Sequence, residues 1–195
     1  MKFTYSIPTK ILFGPGSFND LATTPLPGKK ALVVITAGKS MRANGYLDRL
    51  IDMLDKQGIG HALFDKILPN PVLRHVHEGA ALAREQGCDF VIGLGGGSSI
   101  DSAKSIAVMA KNPGDYWDYI SGGSGKGQPL VNGALPIVAI ATTAGTGTEA
   151  DPWTVITKED TNEKIGFGCA ETFPVLSVVD PEMMLTIPAH LTAYQ

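Results

Sequence analysis

Val91-Ile92-Gly93-Leu94-Gly95-Gly96-Gly97-Ser98-Ser99-Ile100-Asp101 is the stretch whose reading decides the fold. The run Asp89-Phe90-Val91-Ile92 reads as a buried strand, and Ile100, Ala103, Ala107 and Ala110 recur at helical spacing. Between them lie three consecutive glycines. The order is strand, glycine turn, helix. Glycine lets the backbone turn sharply and lets a ligand come close. Ser98 or Ser99 is expected to cap the new helix, and Ser98-x-x-Asp101 has the form of a capping box. The free N–H groups at that helix start, reinforced by the helix dipole, suit an anion. A tight turn with no ligand needs one glycine; three glycines and a helix start favour a phosphate.

Two further loops have the same setting. Ala31-Leu32-Val33-Val34-Ile35 is a continuous apolar run, as in a parallel strand covered on both faces, and Gly38-Lys39-Ser40 follows it. Leu135 to Ile140 is another such run, leading into Thr142-Thr143-Ala144-Gly145-Thr146-Gly147-Thr148. Those hydroxyls can donate to phosphate or ribose, or else cap a helix. Helices are expected around Leu47, Leu50, Ile51 and Leu54, ending at Gly58, and over Val72 to Gln86, with Val76, Ala80 and Ala83 inward and Gly87 as the stop. Further strands are expected at His61–Phe64, Val175–Val179, a hairpin of Trp153–Thr157 with Lys164–Phe167, and two short segments between Lys2 and Gly16. Residues 17–28 read as loop or short helix, Lys111 to Val131 as a surface loop, and Asp180-Pro181 as a helix start. Alternating strands and helices give an α/β, doubly wound, mostly parallel, Rossmann-like sheet with helices on both faces. Ligands in such sheets lie at the carboxyl ends of the strands, so the three loops are expected to form one nucleotide site.

The chain has 195 residues, 18% of them charged, with a net charge of -3. That length can hold one full core. The acidic balance argues against a nucleic-acid partner, so phosphate must be held by local amides. No apolar run is long enough for a membrane span, and no signal peptide is visible, so a cytoplasmic location is expected. Cys88 and Cys169 lack metal or redox spacing and read as buried, reduced thiols. Gly93-x-Gly95-x-x-Ser98 nearly matches a dinucleotide fingerprint, but no acidic residue ends a strand twenty positions on. Gly38-Lys39-Ser40 and Gly125-Lys126 both lack the spacing of a P-loop, which excludes a nucleoside triphosphatase. His75 and His77 point apart on a helix and read as two solvated histidines, and His190 as an ordinary helix residue. Asp101 and Lys104 stand at i and i+3. They either pair with each other or present charge beside a cofactor.

Gly95-Gly96-Gly97-Ser98-Ser99-Ile100-Asp101-Ser102-Ala103-Lys104 resembles the GGGSxxDxAK signature of iron-dependent (group III) alcohol dehydrogenases. Thr142 to Glu149 resembles their TTAGTGSE segment, and Phe3 to Gly16, with Pro8, Ile11 and Phe13-Gly14, is also similar. The likeness covers essentially the whole chain. It implies a nucleotide domain holding NAD(P)H, over residues 1–180, followed at 181–195 by the start of an all-helical metal domain. By the resemblance, Gly96, Gly97 and Ser98 hold the pyrophosphate, and Gly95 beside them is also expected to bind the cofactor. Asn70, Thr142, Thr143 and Thr146 line the cofactor, and Val155 and Lys164 flank its ribose and nicotinamide; Asp101 is counted among the expected cofactor-binding residues. Three positions depart from the family pattern: Ala141 stands where proline is frequent, and Ala150 and Asp151 stand where valine and threonine are usual.

The family's aspartate and histidine metal ligands fall just beyond Leu191-Thr192-Ala193, so the chain is expected to be truncated, with no metal ligands of its own. The iron, or zinc in related enzymes, then belongs to the missing domain. The implied partner is a small alcohol or aldehyde, and the full-length enzyme is expected to be a homo-oligomer. A glycerol dehydrogenase, a dehydroquinate synthase-like enzyme and a non-catalytic nucleotide-binding module are the alternatives. Family members that prefer NAD place an aspartate after the second strand. Here Gly38, Lys39 and Ser40 stand there, which predicts that NADP(H) is accepted at least as well as NAD(H).

Overall fold

The computed structural model describes residues 2–4 and 6–194. Six strands form one wholly parallel sheet: β1 (Lys10–Phe13), β2 (Lys30–Thr36), β3 (Gly60–Ile67), β4 (Phe90–Gly95), β5 (Ile137–Ala141) and, last in the chain, Leu176–Val179. Between β5 and that last strand come β6 (Thr154–Lys158) and β7 (Glu163–Phe167), an antiparallel hairpin outside the sheet, which makes Leu176–Val179 β8. The spatial order is β1-β8-β5-β4-β2-β3. After β3 the chain crosses back past β2 to lay down β4, so the winding reverses between β2 and β4. The carboxyl ends of those two strands therefore face an open crevice, the place where doubly wound sheets bind ligands.

The helices are α1 (Ser40–Ala43), α2 (Tyr46–Lys56), α3 (Leu73–Glu85), α4 (Gly97–Lys111) and α5 (Ala189–Thr192). Leu47, Leu50 and Leu54 of α2 pack with Val33, Ile92 and Ile140 on one face of the sheet. Val76, Ala80 and Ala83 of α3 join Ile106 and Ala107 of α4 against Leu32 and Val91 on the other. Every residue of β4 and of β5 is buried, which is why both read as unbroken apolar runs. α4 comes close to β4 because Gly93 has no side chain: a Cβ there would stand 2.9 Å from the Ile100 Cα.

Several expectations need correction. No strand forms among the described residues before Lys10; residues 2–4 are exposed coil, and Tyr5 lies outside the described residues. The stretch 111–131 is not simply a surface loop. Tyr116–Tyr119 forms a 3-10 turn capped by Asp115, and Tyr116, Trp117, Tyr119 and Ile120 are buried beside α3 and α4. His75 is not solvated: it is 5% exposed, with its ring edge-on to Phe64. His77 stands 3.6 Å from Asp115. Cys88 is buried, whereas Cys169 is only partly covered. Asp180 does start a short 3-10 turn, accepting from the Glu182 N–H, and also from the N–H groups of Gly16 and Phe18.

Candidate cofactor site

The glycine turn ends β4 and starts α4. Gly95 has φ +144°, a conformation that side chains resist, so it is the glycine required for backbone reasons. Gly97 is already helical and is required for space instead. A Cβ on it would stand 3.2 Å from Thr146 Cγ2, and one on Gly96 would stand 3.0 Å from Thr143 Oγ1. The expected serine cap is absent. Gly96 is the N-cap, with no side-chain cap hydrogen bond. Its carbonyl accepts from the N–H groups of Ser99 and Ile100. Ser98 Oγ donates instead to the Pro69 carbonyl, and Ser99 Oγ is buried without a partner among the described residues. The capping box fails as well, because the Asp101 carboxylate turns away to Thr148 and Val155. The first N–H groups of α4, Gly97 and Ser98 among them, have no acceptor in their own helix. Both residues border the crevice.

Two cavities meet at this turn. One, of about 440 Å³, lies between the β2 and β4 ends and is lined by Thr36, Ala37, Gly38, Ile67, Pro69, Gly96, Gly97, Ser98, Thr143, Ala144 and Thr146. The other, of about 230 Å³, is lined by Pro69, Asn70, Pro71, Gly97, Ser98, Asp101, Thr146, Thr148, Asp151, Trp153, Val155 and Lys164. Pro69, Gly97, Ser98 and Thr146 border both. The result is a groove with the helix start at its middle and a chamber on each side.

The predicted residues fall along this groove with four exceptions: Gly95, Lys39, Ser40 and Thr142. Gly38, Gly96, Gly97, Ser98, Thr143 and Thr146 line the larger chamber, and Asn70, Asp101, Val155 and Lys164 the smaller. Lys164 Nζ donates to Asn70 Oδ1 at 3.1 Å, joining the β6–β7 hairpin to the Pro69–Pro71 loop. Gly95 is buried in the strand end, where its carbonyl accepts from the Thr142 N–H. Ser40 and Thr142 open onto a third cavity of about 210 Å³ beside Tyr46, Met183 and Leu191, which shares Thr143 with the larger chamber. Lys39 is exposed just before α1 and lines none of the three. Sequence reasoning missed Pro69, Trp153 and the Thr36-Ala37 end of β2. Nothing in their residue types signals a ligand; topology alone brings them there. The open question about Asp101 and Lys104 is answered by a third residue. They do not pair directly; Thr148 Oγ1 stands between them, 2.7 Å from Asp101 Oδ1 and 2.8 Å from Lys104 Nζ. Burial raises the Asp101 carboxyl above its ordinary range and lowers the Lys104 ammonium below its own.

Residues 8–181 match the family described as iron-containing alcohol dehydrogenase. The chain belongs to that family. It is 38% identical to a probable NADH-dependent butanol dehydrogenase of Bacillus subtilis, over 98% of this chain and 48% of that protein. It is 36% identical to NADH-dependent butanol dehydrogenase B of Clostridium acetobutylicum, with the same two coverages. The crystal structure of an NADH-dependent butanol dehydrogenase A from Thermotoga maritima superposes with a TM-score of 0.90 at 36% identity, over 99% of this chain and 48% of that one. The chain spans about half the length of the curated relatives it matches. Among the described residues no group of three or more His, Cys, Asp and Glu is placed to hold a metal ion. No helix is long and apolar enough to cross a membrane.

Proposed function

We propose that this chain is the dinucleotide-binding part of an NAD(P)-dependent, metal-dependent alcohol dehydrogenase that interconverts a small alcohol and its aldehyde or ketone. The observation that carries this is the two-chambered groove with a helix N-terminus at its middle. A dinucleotide has that same layout, with two nucleoside halves and a pyrophosphate between them. The N–H groups of Gly97 and Ser98 suit the pyrophosphate, with the Thr143 and Thr146 hydroxyls opposite them. The larger chamber would take the adenosine half and the smaller one the nicotinamide ribose and ring, between Val155, Lys164 and Asn70. Bound there, the nicotinamide supplies the hydride donor or acceptor. The chain's residues fix its position and shield one side of it from water.

The metal, iron by the family's description, would act as a Lewis acid on the alcohol oxygen. Its ligands are proposed to lie outside the described residues. The same reading puts a boundary near residue 180, with an α/β unit over 1–180 and the start of a helical unit at 181–195. Met183 still packs in the sheet's core, while Leu185, Leu191 and Tyr194 are exposed. A cytoplasmic location and a homo-oligomer are part of this reading. β1 is an outer strand with Ile11 and Phe13 exposed, an edge that a second copy can cover. A full-length protein containing this chain, supplied with iron, NAD(P)+ and butanol or 1,3-propanediol, should form reduced nicotinamide, followed by its absorbance. Cofactor binding without turnover on any short alcohol would instead mark a non-catalytic nucleotide-binding module.

A further inference from the structure

Lys104 is wholly buried and charged, and no cofactor contact proposed above uses it. It lies on α4, two turns beyond Gly97. Its Nζ donates to Thr148 Oγ1, the Asp151 carbonyl and the Trp153 carbonyl, each at 2.8 Å, and lies 3.1 Å from Asp151 Oδ1. Asp101, one turn earlier, accepts from Thr148 Oγ1 at 2.7 Å and from the Val155 N–H at 2.9 Å. Asp151 Oδ1 also accepts from the Trp153 N–H at 2.8 Å. Two charged side chains of one helix therefore hold the stretch 148–155, and the Thr148 hydroxyl links them by accepting from one and donating to the other. That stretch supplies Thr148, Asp151, Trp153 and Val155 to the wall of the smaller chamber.

An apolar side chain would fill the same volume without the cost of burying an ammonium. A charge adds direction. Two backbone carbonyls must face Lys104, and this orients the loop between them. None of these hydrogen bonds involves Gly97 or Ser98, whose N–H groups open α4.

We propose that Lys104 is a positioning residue for the nicotinamide chamber: through Thr148, Asp151 and Trp153 it sets the wall against which the nicotinamide half rests, while the adenosine and pyrophosphate half is held independently. This rests on reading the groove as a dinucleotide site. The test titrates the full chain with ADP and with NADH, following calorimetry and the fluorescence of the reduced nicotinamide. Wild type should bind NADH more tightly than ADP and enhance its fluorescence. Lys104→Met should weaken NADH by about tenfold, the scale of one charge-assisted hydrogen bond, and abolish the enhancement, with ADP affinity unchanged. Asp151→Asn, which keeps both backbone acceptors, should show a smaller loss of the same kind. If Lys104→Met does not fold, Thr148→Val cuts the link at nearly constant volume and should give the same split between the two ligands. Equal loss of ADP and NADH in a folded variant, or no loss of either, overturns the proposal. A wild type that binds neither ligand overturns the reading of the groove, and the proposal with it.

Discussion

Gly38 lines the larger chamber with no acidic side chain among its neighbours there. A Cβ added to it would meet only Thr36 Oγ1, at 3.6 Å, so an aspartate fits without strain. Gly38→Asp should place a carboxylate where a ribose 2′-phosphate would sit. Wild type is expected to bind NADP(H) at least as well as NAD(H), and the variant to lose about tenfold for NADP(H) alone, measured by titration with both cofactors. A wild type that strongly prefers NAD(H), or a variant whose preference does not move, contradicts this placement of the ribose. His75 gives a second prediction. Burial lowers its pKa below the ordinary 6.5, helped by Arg74 and Lys66 and opposed by Glu78 and Glu159. Just below 6.5 the unfolded chain then binds a proton that the folded chain does not, so stability falls as pH drops through that window. His75→Phe should flatten the stability profile there in denaturant titrations. Single residues were the hardest part to read in advance. Lys104 finds its acceptors 44 to 49 positions away, two of them backbone carbonyls, and residue type carries no trace of that.

Elements were more legible, because burial leaves a pattern. β2, β4 and β5 show as apolar runs, since helices cover both faces of the sheet. α2 and α3 show as one-sided stripes closed by Gly58 and Gly87. The segment after α4 was not legible. Gly114, Asp115, Asp118, Ser121 and a run of glycines surround its four buried side chains, so its polarity disguised a short turn inserted into the core. Trp117 is 3% exposed there, with Lys158 Nζ 5.8 Å from its ring centroid. Trp117→Ala should destabilise the chain by about 3 kcal/mol or more, as large-to-small core changes do, which lowers Tm by several degrees. A surface loop would show almost no change, so thermal unfolding decides between them.

At the scale of the whole molecule, the reversal of winding between β2 and β4 gathers loops from three distant parts of the sequence. Gly38, Gly96–Ser98 and Thr143–Thr146 share one chamber because their strands are neighbours in a parallel sheet with all carboxyl ends on one side. This convergence was readable from the strand–loop alternation alone. The second chamber was not, because its outer wall is the β6–β7 hairpin, joined to the Pro71 loop by the Thr157 N–H at 2.8 Å. The central claim is that a dinucleotide's pyrophosphate sits on the start of α4, and Gly97 tests it most directly. Valine there would crowd Thr146 and close the junction between the chambers, while the Gly97 backbone itself is helical and needs no glycine. Calorimetric titration with NADH should show one site per wild-type chain. The Gly97→Val protein, still folded by circular dichroism, should bind at least about tenfold more weakly. Unchanged affinity in the folded variant would contradict the account.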